Sequence, residues 1–139
     1  MEYKYLKDLT SDVAFNAYGN TFEETLSNSG KALLNIMCEI KKVKNKEIRE
    51  ITVKGNNNKE ILFNFLQSLI VEVEIEQMFF CDFKINIIKK KEIKVICYGE
   101  EINPRIQRTH VKALTNYLFN LQEKNKKNNQ YIATVSVDI

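Results

Sequence analysis

The 139-residue sequence has few of the residues that mark linkers, metal fingers or disulfide frameworks. It contains one proline and four glycines, which leaves no candidate for a flexible linker or a low-complexity region. The three cysteines, Cys38, Cys81 and Cys97, are odd in number, widely spaced and without zinc-finger spacing. Each lies in an apolar stretch, so we expect reduced core residues of a cytoplasmic protein.

Long apolar runs and nucleotide-binding motifs are also missing. No run approaches the length of a membrane span, and charged residues stand where a signal peptide would need its apolar region. The sequence has no GxGxxG, Walker, HExxH or GxSxG motif. It also lacks an evident nucleophile–base pair, so a small metal-dependent hydrolase ranks last among the function classes considered.

The pattern of apolar residues predicts two helices and several strands in one domain, residues 1–139. Thr21 and Glu24 form a capping box before a helix that ends near Cys38, and the asparagines before Ile61 can cap a second, strongly periodic helix. Residues 99–101 are expected to lead into a loop. An ambiguous segment, 110–121, is assigned as a strand because it contains Thr, Val and Tyr. The predicted strands are 3–6, 13–18, 46–54, 78–88, 93–98, 110–121 and 131–139. The predicted fold is α+β, with two layers: two amphipathic helices packed on a mostly antiparallel β-sheet.

The end of the chain is strand-like to its last residue, with apolar and polar residues alternating over 131–139. This strand would bring the Asp138 side chain and the terminal carboxylate of Ile139 to a sheet edge, and Asp12 precedes another predicted strand. Three carboxylates at one edge would repel one another unless they held a cation. The alternative is that Asp12 satisfies turn donors while Asp138 and the terminal carboxylate are solvated.

Positive charge is clustered at three predicted turns, although the formal net charge is only +3. Such lysines commonly keep β-proteins soluble and protect sheet edges from pairing. The functional alternative is a surface that meets RNA or an acidic protein. The clusters are Lys41, Lys42, Lys44 and Lys46; Lys89, Lys90 and Lys91; and Lys124, Lys126 and Lys127.

Several segments, in one order along the whole chain, resemble the archease family. They are Leu9-Thr10-Ser11-Asp12-Val13, Ala17-Tyr18-Gly19, Thr21-Phe22-Glu23-Glu24, the Leu-rich segment 61–69, Gly99-Glu100, Val111-Lys112-Ala113-Leu114-Thr115 and the terminal Val137-Asp138-Ile139. The resemblance implies a cytoplasmic, non-enzymatic activator of the RtcB-type, GTP-dependent RNA ligase of tRNA splicing and RNA repair. Such an activator promotes guanylylation and multiple turnover of the ligase.

The resemblance also implies roles for single residues. Asp12, Asp138 and Ile139 would bind a divalent metal, calcium first, with magnesium or manganese as alternatives, and Lys112 would be critical for activation with the two aspartates. RNA contact would be indirect or weak. The alternative is an RNA-binding or chaperone module, for example for an RNA methyltransferase, that uses the lysine-rich loops.

Three positions depart from the family pattern. Leu9 replaces the histidine of the first motif, and Asn116 and Tyr117 stand where the family often has Tyr-His. The only histidine, His110, matches neither position and is assigned no role.

Overall fold

Seven strands and two α-helices occur in residues 1–6 and 12–139, which are the residues that the computed structural model describes. The predicted turn before Asp12, including Leu9, lies outside these residues. The strands are β1 (Tyr3–Tyr5), β2 (Asp12–Gly19), β3 (Glu47–Lys54), β4 (Met78–Lys89), β5 (Glu92–Glu101), β6 (Ala113–Gln122) and β7 (Tyr131–Asp138). The helices are α1 (Phe22–Met37) and α2 (Asn58–Glu76), with short 3₁₀ helices at Ile40–Lys42 and Pro104–Ile106.

All strand pairs in the described residues are antiparallel, which confirms the predicted α+β class. The strands form two sheets rather than the one that the sequence suggested: a four-stranded sheet in the order β1-β2-β7-β6 and a three-stranded sheet in the order β3-β5-β4. Helix α1 contacts β1, β2 and β7 of the first sheet and β4 of the second, while α2 contacts β6 and all three strands of the second. Both helices therefore pack against both sheets.

Side-chain caps start both helices, as the sequence predicted. Thr21 Oγ1 accepts a hydrogen bond from the N–H of Glu24 at 3.1 Å, and the Glu24 side chain accepts one from the N–H of Asn20 at 3.2 Å. Asn57 Oδ1 accepts from the N–H of Glu60 at 2.8 Å. The bonds from Glu24 and Glu60 satisfy N–H groups that the first helical turn leaves without partners, and the bond from Asn20 fixes the chain just before the N-cap. Helix α2 ends at Gln77, whose φ of 53° lies in the left-handed region.

The helices and the inner faces of both sheets bury one continuous apolar core. Phe15, Phe65 and Phe80, one from each of β2, α2 and β4, have no solvent exposure. Cys38 and Cys97 are equally buried, and burial raises the pKa of both thiols to about 12. All three cysteines are free thiols, and Cys81, which was expected in the core, is only partly buried.

Two sequence expectations about strand ends need correction. Residues 99–101 belong to β5 rather than to a loop, because Gly99, Glu100 and Glu101 pair with the start of β4. Strand β6 begins at Ala113, three residues later than expected. Within the described part of the chain, neither helix combines the length and the apolar character needed to cross a bilayer.

Candidate carboxylate site

Strand register brings the predicted carboxylates to one end of the four-stranded sheet. Asp12, the first residue of β2, is the Cα partner of Asp138, the last residue of β7. Asp138 is in turn the partner of Ala113 on β6. The N–H of Lys112 donates to the backbone carbonyl of Asp138 at 2.8 Å, and Ile139 follows directly. The four residues that the resemblance singled out are therefore neighbours.

The alternation of apolar and polar residues explains why these carboxylates avoid the core. Val135 and Val137 on β7 are fully buried, and Phe15 is buried beside them on β2. Because neighbouring residues of a strand point to opposite faces, Asp12 and Asp138 lie together on the other face of the sheet. Both aspartates are only partly exposed.

The two opposed carboxylates have no basic partner in the described residues, because no Lys or Arg side chain forms an ion pair with Asp12 or Asp138 there. Like charges directly opposite each other in an antiparallel pair destabilise it. Within residues 1–6 and 12–139, no three His, Cys, Asp or Glu side chains are grouped as metal ligands would be. Among the described residues, the terminal carboxylate of Ile139 is the candidate for a third anionic ligand beside this pair, and Ile139 is 37% exposed.

Polar residues beside the carboxylates fix the shape of strand β6. The register of β6 against β7 jumps between Thr115 and Asn120, so β6 carries a wide bulge there. Ser136 lies on the same face of the sheet as Asp138 and is fully buried. Its hydroxyl forms a hydrogen bond with the Thr115 hydroxyl and accepts another from the N–H of Leu118 at 3.3 Å. This pair was not predicted from the sequence. The signal in the sequence that could have predicted it is the presence of Thr115 and Ser136 on the two strands that also carry Ala113 and Asp138.

Two of the three positions that depart from the family pattern, Asn116 and Tyr117, lie in this bulge. Asn116 and Tyr117 are both exposed, and Tyr117 is 70% exposed. His110 is also exposed and lines a cavity of about 180 Å³ at the C-terminal end of α2. Lys112 is exposed as well, and the contact that joins it to Asp138 is made by its backbone.

The Gly-Glu pair that contributed to the resemblance holds the three-stranded sheet together. A Cβ atom on Gly99 would overlap the carbonyl oxygen of Phe79 on the adjacent strand, so no larger residue fits without a backbone shift. The Glu100 side chain accepts from the N–H of Lys44 at 2.6 Å and lies 3.7 Å from the Lys46 ammonium. Both contacts anchor the segment before β3, which gives this pair a structural role.

The comparisons with known proteins agree with the fold and the motifs. Residues 3–139 match the model of the archease protein family. The chain is 33% identical over 133 residues to the archease of Sulfurisphaera tokodaii, covering 94% of each chain. It is 31% identical over 144 residues to the archease of Methanosarcina acetivorans, covering 99% of this chain and 96% of that one. The chain belongs to the archease family.

Two solved structures share the fold. The solution structure of Methanobacterium thermoautotrophicum protein 1598 superposes with a TM-score of 0.84 at 24% identity, and the alignment covers 99% of both chains. A crystal structure from Thermotoga maritima, described as an archease and possible chaperone, gives a TM-score of 0.64 at 20% identity, with 98% of this chain and 97% of that chain covered. At these identities the likeness concerns the fold alone.

Proposed function

We propose that this archease-family protein activates the GTP-dependent RNA ligase of tRNA splicing and RNA repair by promoting guanylylation and multiple turnover. The observation that supports the proposal most strongly is the pairing of Asp12 with Asp138. It gathers at one sheet edge the two aspartates, the chain terminus and Lys112, which the family resemblance implicates from sequence positions far apart.

The donor chemistry of this edge fits a hard divalent cation. Asp12, Asp138 and the terminal carboxylate of Ile139 offer only anionic oxygen atoms, which suit calcium, magnesium or manganese better than zinc. Neither aspartate has a basic partner in the described residues, so their negative charge is left for a cation to balance. A cation held there would supply positive charge for the phosphates of the nucleotide.

Lys112 would contribute a second positive charge at this edge. Its backbone is fixed to Asp138, whereas its exposed side chain is free to reach outward. An ammonium in that position can meet a phosphate or a carboxylate of the ligase. The edge would then orient the nucleotide in the ligase site, and the chain itself would perform no chemical step.

The test is guanylylation and turnover of the ligase from the same source, with GTP and a divalent ion. We expect wild-type protein to stimulate both, and Asp12→Asn, Asp138→Asn and Lys112→Gln to abolish the stimulation while still unfolding cooperatively, which shows that they are folded. Glu47→Gln is the matched control, because it removes an exposed carboxylate from β3 in the other sheet. Full stimulation by Asp138→Asn, or none by folded wild-type protein, would refute the proposal.

The chain terminus provides an independent test. Residues added after Ile139 remove the terminal carboxylate from its place beside Asp138. We therefore expect a C-terminal tag to impair activation strongly and an N-terminal tag of the same sequence to impair it little. Equal activity of the two tagged proteins would exclude Ile139 as a ligand.

The second candidate function is a chaperone for an RNA methyltransferase. It is favoured by the description of the similar Thermotoga maritima protein as a possible chaperone. This function predicts that the chain suppresses aggregation of the methyltransferase, measured by light scattering, and that Asp138→Asn does so equally well. Loss of suppression in that variant would tie both functions to the carboxylate edge.

A further inference from the structure

Two of the three lysine clusters converge on the N-terminal end of α2. The N–H of Gly55, just before the helix, donates to the carbonyl of Lys91 in the β4–β5 turn at 3.1 Å. On another side, the Asn58 side chain donates to Glu123, at the start of the β6–β7 connection, at 2.7 Å. Residues 54–60, 89–92 and 123–127 thus form one continuous region, here called the basic surface.

The basic surface concentrates positive charge that the whole-chain total conceals. Its three segments contain eight lysines and three glutamates, a net charge of +5. Because the chain totals +3, all other residues together carry −2. The charge is therefore separated within the molecule, and the low total does not argue against a polyanionic partner.

Most of these lysines are available for a ligand. Glu92 is the only glutamate of the surface that forms ion pairs in the described residues, with Lys54 at 3.9 Å and Lys89 at 3.6 Å. Five exposed lysines form no ion pair within the same residues: Lys59, Lys90, Lys91, Lys126 and Lys127. The N-terminal end of the α2 dipole adds positive potential at the same place.

The composition of the basic surface is more typical of a surface that contacts nucleic acid than of one that contacts an acidic protein. Apart from its lysines and glutamates it contains only asparagine and one glycine. Protein interfaces depend on buried aromatic and arginine anchors, and lysine is depleted in them. Contacts to nucleic acids go largely to phosphate oxygens, and polar, positively charged surfaces make them. Lysine and asparagine side chains supply the required donors.

We propose that the basic surface binds the phosphate backbone of a nucleic acid. The proposal goes beyond ligase activation and does not rest on it. The surface adjoins the start of β7 at Tyr131, whereas Asp138 ends the same strand. A strand of this length spans roughly 23 Å, so the basic surface and the carboxylate edge lie at opposite ends of β7.

The test is binding of the full chain to a fluorescein-labelled single-stranded RNA of about 16 nucleotides, followed by anisotropy over a range of salt concentrations. The variants are Lys90→Gln/Lys91→Gln and Lys126→Gln/Lys127→Gln. If each lysine neutralises one phosphate, each pair should lower the affinity about 25-fold at about 0.1 M salt and reduce the log–log salt slope by about 1.4.

The third lysine cluster offers a matched control. Lys41 and Lys44 are both exposed. The N–H of Lys44 donates to the Glu100 side chain, which lies at the opposite end of β5 from the Lys89–Glu92 turn. Lys41→Gln/Lys44→Gln changes the net charge equally and should alter the affinity by less than about twofold.

Three results would overturn the proposal: no binding of RNA by the wild-type protein, equal losses in the control and in the basic-surface variants, or tighter binding of a labelled polyglutamate peptide than of the RNA. Circular-dichroism melts show whether each variant is folded. No ligase enters the assay, so its outcome is independent of the activation experiment.

Discussion

Replacing Asp138 by asparagine should change stability in opposite directions with and without calcium. Without a cation, the substitution removes the repulsion between two carboxylates that strand register places directly opposite each other. With calcium, it removes one of the proposed ligands. The sign of the stability change therefore reports on the cation directly, whereas activity alone would not.

The magnitudes follow from the geometry. Directly opposed residues of an antiparallel pair have Cβ atoms about 5 Å apart, and two charges at that distance in water repel by about 0.8 kcal/mol. Solvent screening at this partly exposed site reduces the repulsion to about 0.5 kcal/mol. For a chain of 139 residues, the entropy of unfolding near the midpoint is about 0.29 kcal/mol/K, so Asp138→Asn should raise Tm by about 2 °C in EDTA.

Calcium should reverse the order of the two melting temperatures, so that the wild-type protein melts above Asp138→Asn. At calcium concentrations near 100 times Kd, binding stabilises the wild-type protein by about 2.7 kcal/mol, or about 9 °C in Tm. A variant that lacks one ligand loses most of this gain, so the wild-type protein should melt several degrees higher in calcium.

The assay is calorimetry or circular dichroism of both proteins in EDTA and in a calcium series, with Glu47→Gln as the control that should follow wild type. The wild-type Tm should rise with calcium, while that of Asp138→Asn should change little. A wild-type Tm that does not respond to calcium, magnesium or manganese would refute the metal site. A variant that is less stable than wild type in EDTA would refute the repulsion argument.

Three further predictions concern the scaffold. Gly99→Ala should destabilise the protein by more than about 2 kcal/mol in urea unfolding, because the new methyl group overlaps the Phe79 carbonyl; unchanged stability would contradict the close approach. Ser136→Ala should cost about 1–3 kcal/mol, since the partly buried Thr115 and Leu118 lose their hydrogen bonds to the buried Ser136 hydroxyl; a cost below about 0.5 kcal/mol would refute this role. Burial raises the pKa of the Cys38 and Cys97 thiols to about 12, so they stay protonated when folded but ionise when unfolded. The stabilising contribution of the two thiols is complete below the pKa of the unfolded state and is lost as pH rises toward 12. The free energy of unfolding should therefore fall by at least about 1 kcal/mol between about pH 8 and 10. A double Cys→Ala variant should show a smaller fall over the same range.

Local signals in the sequence were sufficient to predict the helices and the polar face of the last strand, whereas the pairing of Asp12 with Asp138 joins distant segments and was only a hypothesis. The caps at Thr21 and Asn57 depend on residues within one turn, and both form as predicted. Alternation over 131–139 placed Asp138 on the polar face, and a second alternating strand after Asp12 made their meeting at one edge a reasonable expectation. Helix caps and the alternation of apolar and polar residues can be read from short stretches of sequence without knowledge of tertiary contacts.

The division into two sheets, the bulges and the role of Gly99 depend on packing between distant segments, which a local sequence pattern does not predict. Two sheets form because both helices can cover two apolar faces at once, and a list of strands does not show how the strands divide between them. The three register shifts in the described strands follow from the fit of one strand to its neighbour; they lie between Phe80 and Asp82, between Ile87 and Lys89, and between Thr115 and Asn120. The predicted strand ended at residue 98, whereas Gly99 lies within β5, where it lets two strands approach closely.

The separation of the carboxylate edge from the basic surface has a consequence for any complex with ligase and RNA. Helix α2 begins at the basic surface and ends beside the cavity lined by His110, next to the carboxylate edge. A 19-residue helix is about 28 Å long. A nucleic acid bound at one end would therefore leave the other end free to enter a protein site. If both proposals hold, Lys90→Gln/Lys91→Gln should leave guanylylation intact and weaken only RNA-dependent steps, whereas Asp12→Asn should do the reverse. Loss of guanylylation in the lysine variant would mean that the two ends act on the same ligand.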